Sequence, residues 1–209
     1  MFSPIPLTDR QLETLDRYAN ELARMTRRVN LIAPSTIRQI EERHISHSLT
    51  LAQKAFPKGS TVVDWGSGGG LPAIPLAVVF PDVEFVAVDA VGKKTEAIRL
   101  FARRLGLANV RVWNGRAEAY DGPAPHYAVS RATAPLVDLW GWFAACRQLV
   151  ETVPDGAWTP GLVCLKGGDL TDEVADLHST FPGLSVQAVE LASLLGEAWS
   201  DKVLLHVTG

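Results

Sequence analysis

Three carboxylates and a guanidinium stand where apolar runs give way to loops: Asp64, Asp89, Glu118 and Arg131. After the first comes Gly66-Ser67-Gly68-Gly69-Gly70. So many neighbouring glycines cost conformational entropy unless the backbone must turn through positive φ or come close to a ligand. Asp89 follows Asp64 by 25 residues, a spacing at which a carboxylate can accept both hydroxyls of a ribose. Ala117-Glu118 can offer a backbone N–H and a carboxylate to the edge and amino group of an adenine. Each feature also has a plain reading, as a glycine-rich turn, an acid closing a strand, or a surface arginine.

Two nucleotide chemistries compete for these residues. A nicotinamide dinucleotide calls for G-x-G-x-x-G, with its pyrophosphate on a helix N-terminus. Here the glycines run together ahead of Leu71-Pro72, and Asp64 sets a negative charge where pyrophosphate would approach. A carboxylate there suits the ammonium and sulfonium of S-adenosylmethionine better, so the residues weigh towards that cofactor.

The elements that must hold these groups can be read from periodicity. Strands are predicted at Thr61 to Trp65, Glu84 to Asp89, Val110 to Trp113, Tyr127 to Ser130 and Leu162 to Leu165. Helices are predicted between them at Leu71 to Phe80, with Pro72 in the first turn, at Gly92 to Leu107, closed by Gly106 and Asn109, and at Leu136 to Val150. A helix from Asp172 to Phe181 precedes two strands, Val186 to Leu191 and Val203 to Val207, read as joined without a helix. The alternation predicts an α/β fold, a doubly wound, mostly parallel sheet with a C-terminal antiparallel strand. In such a sheet the carboxyl ends of the strands gather Asp64, the glycines, Asp89, Gly115 to Glu118 and Ser130-Arg131 around one crevice.

Ahead of the sheet, Thr8-Asp9-Arg10-Gln11 fits a capping box, and Leu12, Leu15, Tyr18, Leu22, Met25 and Val29 recur at helical spacing. The opposite face carries Arg10, Arg17, Arg24, Arg27 and Arg28. A second helix is predicted from Ser35 through Leu49, holding Arg38, Arg43, His44 and His47. Two histidines three apart, with only Glu41 and Glu42 nearby, are read as facing a substrate rather than a metal. The organisation expected is an N-terminal helical extension over 1–58 and one compact catalytic unit over 59–209.

With 47% apolar and 21% charged residues, the composition is that of an ordinary globular protein. No apolar run reaches the roughly 20 residues of a membrane span, and Met1 to Pro6 lack the features of a signal peptide, so a cytoplasmic protein is expected. Cys146 and Cys164 lack metal-ligand spacing and read as reduced thiols. The net charge of −3 is unevenly spread: residues 1–150 carry 18 basic against 14 acidic side chains, and 151–209 carry 2 against 9. A basic front can orient a polyanion.

The blocks Val63 to Ala77, Val88 to Lys94, Gly115 to Glu118, Ser130-Arg131-Ala132 and Lys166-Gly167, with Asn30-Leu31 and Arg43 through Ser48, together resemble the RsmG family, also called glucose-inhibited division protein B. The resemblance spans nearly the whole chain. It implies a class I S-adenosylmethionine-dependent, Rossmann-like methyltransferase that modifies guanine N7 in bacterial 16S rRNA, at nucleotide 527 in the family's usual substrate. By motif, Gly66, Gly68, Leu71, Ala117, Glu118 and Arg131 then look like cofactor contacts beside Asp64, and Asp89 like the ribose acid. Arg27, Arg28, Arg43, His44, His47, Lys93 and Lys94 are the RNA-binding candidates, and Trp65 and Trp113 are candidates for stacking on a base. The family usually has Asp at the position of His47 and Gly at that of Ala73.

No catalytic dyad is implied, since guanine N7 has an unshared pair, and Arg131 is read as a positioning group. The partner expected is 16S rRNA, within a small-subunit particle, for a monomeric enzyme. A methyltransferase acting on a small molecule or protein, and a nucleotide-binding protein without catalysis, are the alternatives.

Overall fold

Residues 3–131, 133–150 and 152–209 are described by the computed structural model. Met1 and Phe2, from the stretch read for a signal peptide, and Ala132, from the Ser130-Arg131-Ala132 block, lie outside them. Seven strands form one sheet in the order β3-β2-β1-β4-β5-β7-β6. They are β1 (Thr61–Trp65), β2 (Glu84–Asp89), β3 (Val110–Asn114), β4 (Tyr127–Arg131), β5 (Gly161–Gly167), β6 (Ser185–Glu190) and β7 (Lys202–Thr208). The first five are parallel, and β7 runs antiparallel between β5 and β6. Parallel strands are covered on both faces, which is why β1 reads as a continuous apolar run broken only by Asp64.

Against one face pack α1 (Asp9–Thr26), α3 (Ala73–Val79) and α4 (Gly92–Leu105), and against the other α5 (Leu136–Cys146) and α6 (Thr171–Thr180). The capping box on α1 is formed, with Gln11 N–H on Thr8 Oγ1 and Thr8 N–H on Gln11 Oε1. Leu15, Tyr18 and Leu22 of α1 join Ile74 of α3 and Phe101 of α4 in one core, so the N-terminal helix and the sheet share their apolar interior. Among the described residues no helix is long and apolar enough to cross a membrane.

Several expectations are corrected. The helix predicted over Ser35 to Leu49 changes pitch along its length: a 3-10 stretch Pro34–Gln39, a π-helix Glu41–Ser46, α2 (His47–Leu49) and a 3-10 stretch Thr50–Gln53. Pro72 is the residue before α3 rather than in its first turn, because the loop over Asp64 extends to it. Asn109 does not close α4. Its side-chain amide instead donates to the carbonyls of Ala77, Phe80 and Val83. Gly106 does cap α4, at φ 70°. α5 stops at Cys146, before an extended Arg147. A short α7 (Ala192–Leu195) stands between β6 and β7, where no helix was expected.

Candidate cofactor crevice

The strand order reverses between β1 and β4, and there, past the carboxyl ends of the strands, opens a crevice of about 520 Å³. Such a volume suits a small-molecule site. Its walls bring together Gly66, Gly68, Leu71, Asp89, Ala117, Glu118 and Arg131, residues spread over 66 positions of sequence. Leu31, Lys94, Thr133 and Trp142 line it too, and sequence reading had not placed them there. Lys94 had been assigned to RNA, yet its Nζ lies 3.9 Å from Asp89 Oδ2. Thr133 follows Arg131 by two residues, so its nearness to the crevice is readable from that block. Trp142 arrives from α5, with no local signal.

Asp89, at the end of β2, ties the crevice together. Its Oδ2 accepts from Gly68 N–H at 2.9 Å and its Oδ1 from Val91 N–H at 2.9 Å. A carboxylate oxygen can accept more than one bond, so Asp89 keeps acceptor capacity toward the cavity. Glu118 is exposed at the opposite wall.

Asp64 does not line the crevice. It is fully buried beneath the loop, where its Oδ2 accepts from Ser67 Oγ at 2.5 Å and Ala73 N–H at 3.1 Å. Burial pushes its pKa up to about 7 against those hydrogen bonds and the nearby Arg131. It therefore acts on the loop rather than as a charge facing a ligand. The loop is pinned again from outside, by Tyr18 Oη donating to Gly69 O at 2.8 Å. At Gly66 φ is +71°, and a Cβ there would overlap the side chain of Thr133, so glycine is required twice over.

Arg131 ends β4 half-buried, and burial draws its pKa down. Its Nη1 donates to His44 Nδ1 at 2.9 Å and to the Arg43 carbonyl at 3.4 Å. His44 and His47, expected to face RNA, are buried at 8% exposure each and pushed down to about 3, first by burial and next by Arg131. The His47 ring packs on Trp199 at 4.7 Å. Neither is available to a polyanion. Trp65, a stacking candidate, is wholly buried behind the crevice, against Tyr120 and Trp142. Trp113 is partly buried and packs on Tyr120, its indole N–H donating to Asp121. Arg27, Arg28, Arg43 and Lys93 are exposed. Among the described residues no three His, Cys, Asp or Glu side chains converge on a point that could hold a metal ion.

The donor set fits S-adenosylmethionine. Carboxylates at Asp89 and Glu118 suit hydroxyl and amino donors and repel a pyrophosphate, while the glycine floor admits close backbone contact. The sheet order, the reversal point and this crevice define a class I S-adenosylmethionine-dependent methyltransferase. Solved structures of similar fold agree: an S-adenosylmethionine-dependent methyltransferase from Aquifex aeolicus (TM-score 0.56, 16% identity, 84% of this chain and 97% of that one). A ribosomal protein L11 methylase from Lactobacillus delbrueckii gives a TM-score of 0.58 at 12% identity, over 79% of this chain and 78% of that one. The family model described as GidB, rRNA small subunit methyltransferase G, matches residues 11–198, and the chain belongs to that family. The ribosomal RNA small subunit methyltransferase G of Salinibacter ruber is 53% identical, over 91% of this chain and 88% of its own. That of Chlorobaculum tepidum is 40% identical, over 82% and 76%.

Proposed function

We propose that the protein transfers the methyl group of S-adenosylmethionine to N7 of a guanine in 16S rRNA, nucleotide 527 in the family's usual substrate. The observation that carries this reading is the family match over residues 11–198. When bound, the cofactor supplies an electrophilic methyl group on a sulfonium. Guanine N7 carries an unshared pair, so the chain has no proton to remove and works by holding nucleophile, methyl carbon and sulfur in line.

The division of labour follows from the crevice walls. Asp89 takes the ribose hydroxyls, and Ala117 with Glu118 meets the adenine. The backbone at Gly66, Gly68 and Leu71 would hold the methionine part, and Arg131 would pair with its carboxylate. Asp64 holds the loop from below through Ser67 and Ala73. The carbonyls of the glycine loop would give a polar surround to the positive charge that the cofactor's sulfonium supplies.

A second groove supports a path for RNA to this point. A groove of about 600 Å³ beside α1 and α4 is lined by the apolar Met25, Val29, Ala97 and Leu100 and by Lys93, Arg99 and Arg103, with Glu96 paired to Arg99 at 2.8 Å. Arg27 and Arg28 follow directly after α1. Basic side chains neutralise phosphates and an apolar lining accepts a base, and Gly92 and Lys93 of the groove adjoin Lys94 of the crevice. We take the enzyme to act as a monomer in the cytoplasm, where small-subunit particles present this RNA.

Mass spectrometry of 16S rRNA from a strain lacking this gene tests the substrate. Loss of N7-methylguanosine at the expected loop supports it, and an unchanged level overturns it in favour of a small-molecule or protein substrate.

A further inference from the structure

The π-helical turn Glu41–Ser46 brings a buried histidine against the crevice arginine, and the hydrogen bonds around that histidine admit one protonation pattern. Arginine nitrogens only donate, so His44 Nδ1, 2.9 Å from Arg131 Nη1, is an acceptor. On the far side of the ring, Nε2 lies 2.7 Å from Thr36 Oγ1. The Thr36 hydroxyl is itself committed to the Ala33 carbonyl at 2.7 Å, so Nε2 carries the proton and donates it to Thr36. The direction of bonding runs without a break from Arg131 through His44 and Thr36 to a main-chain carbonyl. Both of these bonds of Arg131 use Nη1, and among the described residues Nη2 and Nε make no hydrogen bond.

We propose that His44, held as the neutral Nε2–H tautomer, is the positioning residue for Arg131, anchoring Nη1 so that Nη2 and Nε are presented as a fixed fork to the carboxylate of the bound cofactor. The proposal rests on the reading of the crevice as the S-adenosylmethionine site. A planar guanidinium offers two parallel donors to a carboxylate only when its plane is fixed, and a histidine accepting at one corner fixes it without taking a fork position. Burial supports the arrangement, since both it and the adjacent cation disfavour a charged imidazolium that would repel Arg131. The π-helical pitch has a purpose in this account. It sets the Arg43 carbonyl beside the same Nη1, giving the guanidinium two anchors from consecutive residues.

The test is a set of binding and kinetic measurements on the full chain. His44→Ala should raise the Kd and KM for S-adenosylmethionine about tenfold, as loss of a hydrogen bond to a charged group does, and leave the KM for the RNA particle unchanged. His44→Asn, whose Oδ1 can stand where Nδ1 stands, should recover most of that loss. In a double-mutant cycle, adding His44→Ala to Arg131→Ala should cost nothing further, because the histidine then has nothing to position. Nitrogen-15 spectra of the wild-type histidines, with His44 assigned by its loss in His44→Asn, should show a protonated Nε2 and a bare Nδ1. The tautomer itself is read on the wild-type protein, and the conservative His44→Asn variant serves here only for assignment. A protonated Nδ1, additive effects in the cycle, or equal losses toward cofactor and RNA would each overturn the proposal. Wild-type protein that fails to bind S-adenosylmethionine would remove the crevice reading and this proposal with it. Wild-type binding with unaltered affinity in His44→Ala would remove the proposal alone.

Discussion

At Gly66 two demands coincide, a left-handed backbone and a contact that leaves no room for a Cβ. Gly66→Val should therefore abolish S-adenosylmethionine binding in a calorimetric titration, since the loop must move away from Thr133 and lose its hold on the crevice. At Asp89 the demand is for two acceptors at once, toward Gly68 N–H and Val91 N–H. Asp89→Asn puts an NH₂ against one of those donors and should weaken cofactor affinity about ten- to hundredfold, read by the same titration. The acid read from its charge as a cofactor contact is Asp64, which the structure buries beneath the loop. Because Val62 to Trp65 are all buried, alternation along β1 carries no mark of which side opens to the crevice, and an acid amid apolar residues reads equally as ligand contact or loop anchor. Its neighbours Ser67 and Ala73 decide for the anchor, and that is visible only once the loop has folded back over it.

Whole elements were legible where a local pattern sets them. β1 and β2 run over the predicted residues, because apolar runs bounded by turns admit one reading, and α1 begins at its capping box. The segment from Ser35 to Leu49 is legible as helical but not in pitch, and its 3-10 continuation Thr50–Gln53 is not legible. Its π and 3-10 turns break the single helical period that spacing can show, and the π turn sets the Arg43 carbonyl beside Arg131 Nη1. The histidines on it were misread for the same reason, since pitch decides which side of a helix faces inward. The cationic rim of α1 and α4 survives with some neutralisation: Arg24 and Arg104 share Glu21, and Arg17 donates to the Arg104 carbonyl. The exposed Arg27 and Lys93 remain, so Arg27→Ala and Lys93→Ala should each weaken RNA binding. Each should also reduce the slope of log affinity against log salt by about 0.7 to 0.9, with cofactor affinity unaltered. Filter binding across a salt series measures both, and equal slopes in variant and wild type would exclude these side chains from phosphate contact.

For the molecule as a whole, buried ionisable groups tie stability to pH in opposite senses. His44 and His47 have folded pKa values near 3, below the ordinary 6.5, so the unfolded chain binds more protons. Their contribution is complete above pH 6.5 and is lost as pH falls from there toward 3, at about 1.4 kcal/mol per pH unit for each fully titrating group. Asp64, raised from 3.8 to about 7, works the other way: its contribution is complete below pH 3.8 and is lost as pH rises through 7. Between pH 4 and 6.5 two groups oppose one, so acid should destabilise the protein. His47→Phe keeps an aromatic ring on Trp199 and removes one titration, and should flatten the fall in Tm between pH 7 and pH 5. An unchanged slope would mean that His47 titrates normally in the folded chain. The sheet order carries a consequence for synthesis as well. Because β7 lies between β5 and β6, the seventh strand in chain order is the one that joins the sixth to the rest. A chain emerging from the ribosome can pair β1 to β5 in sequence, but β6 has no partner in the sheet until β7 is threaded in, and the β5 edge stays open meanwhile. A nascent chain stalled before Lys202 should therefore carry an unpaired β5 edge of the kind that chaperones recognise.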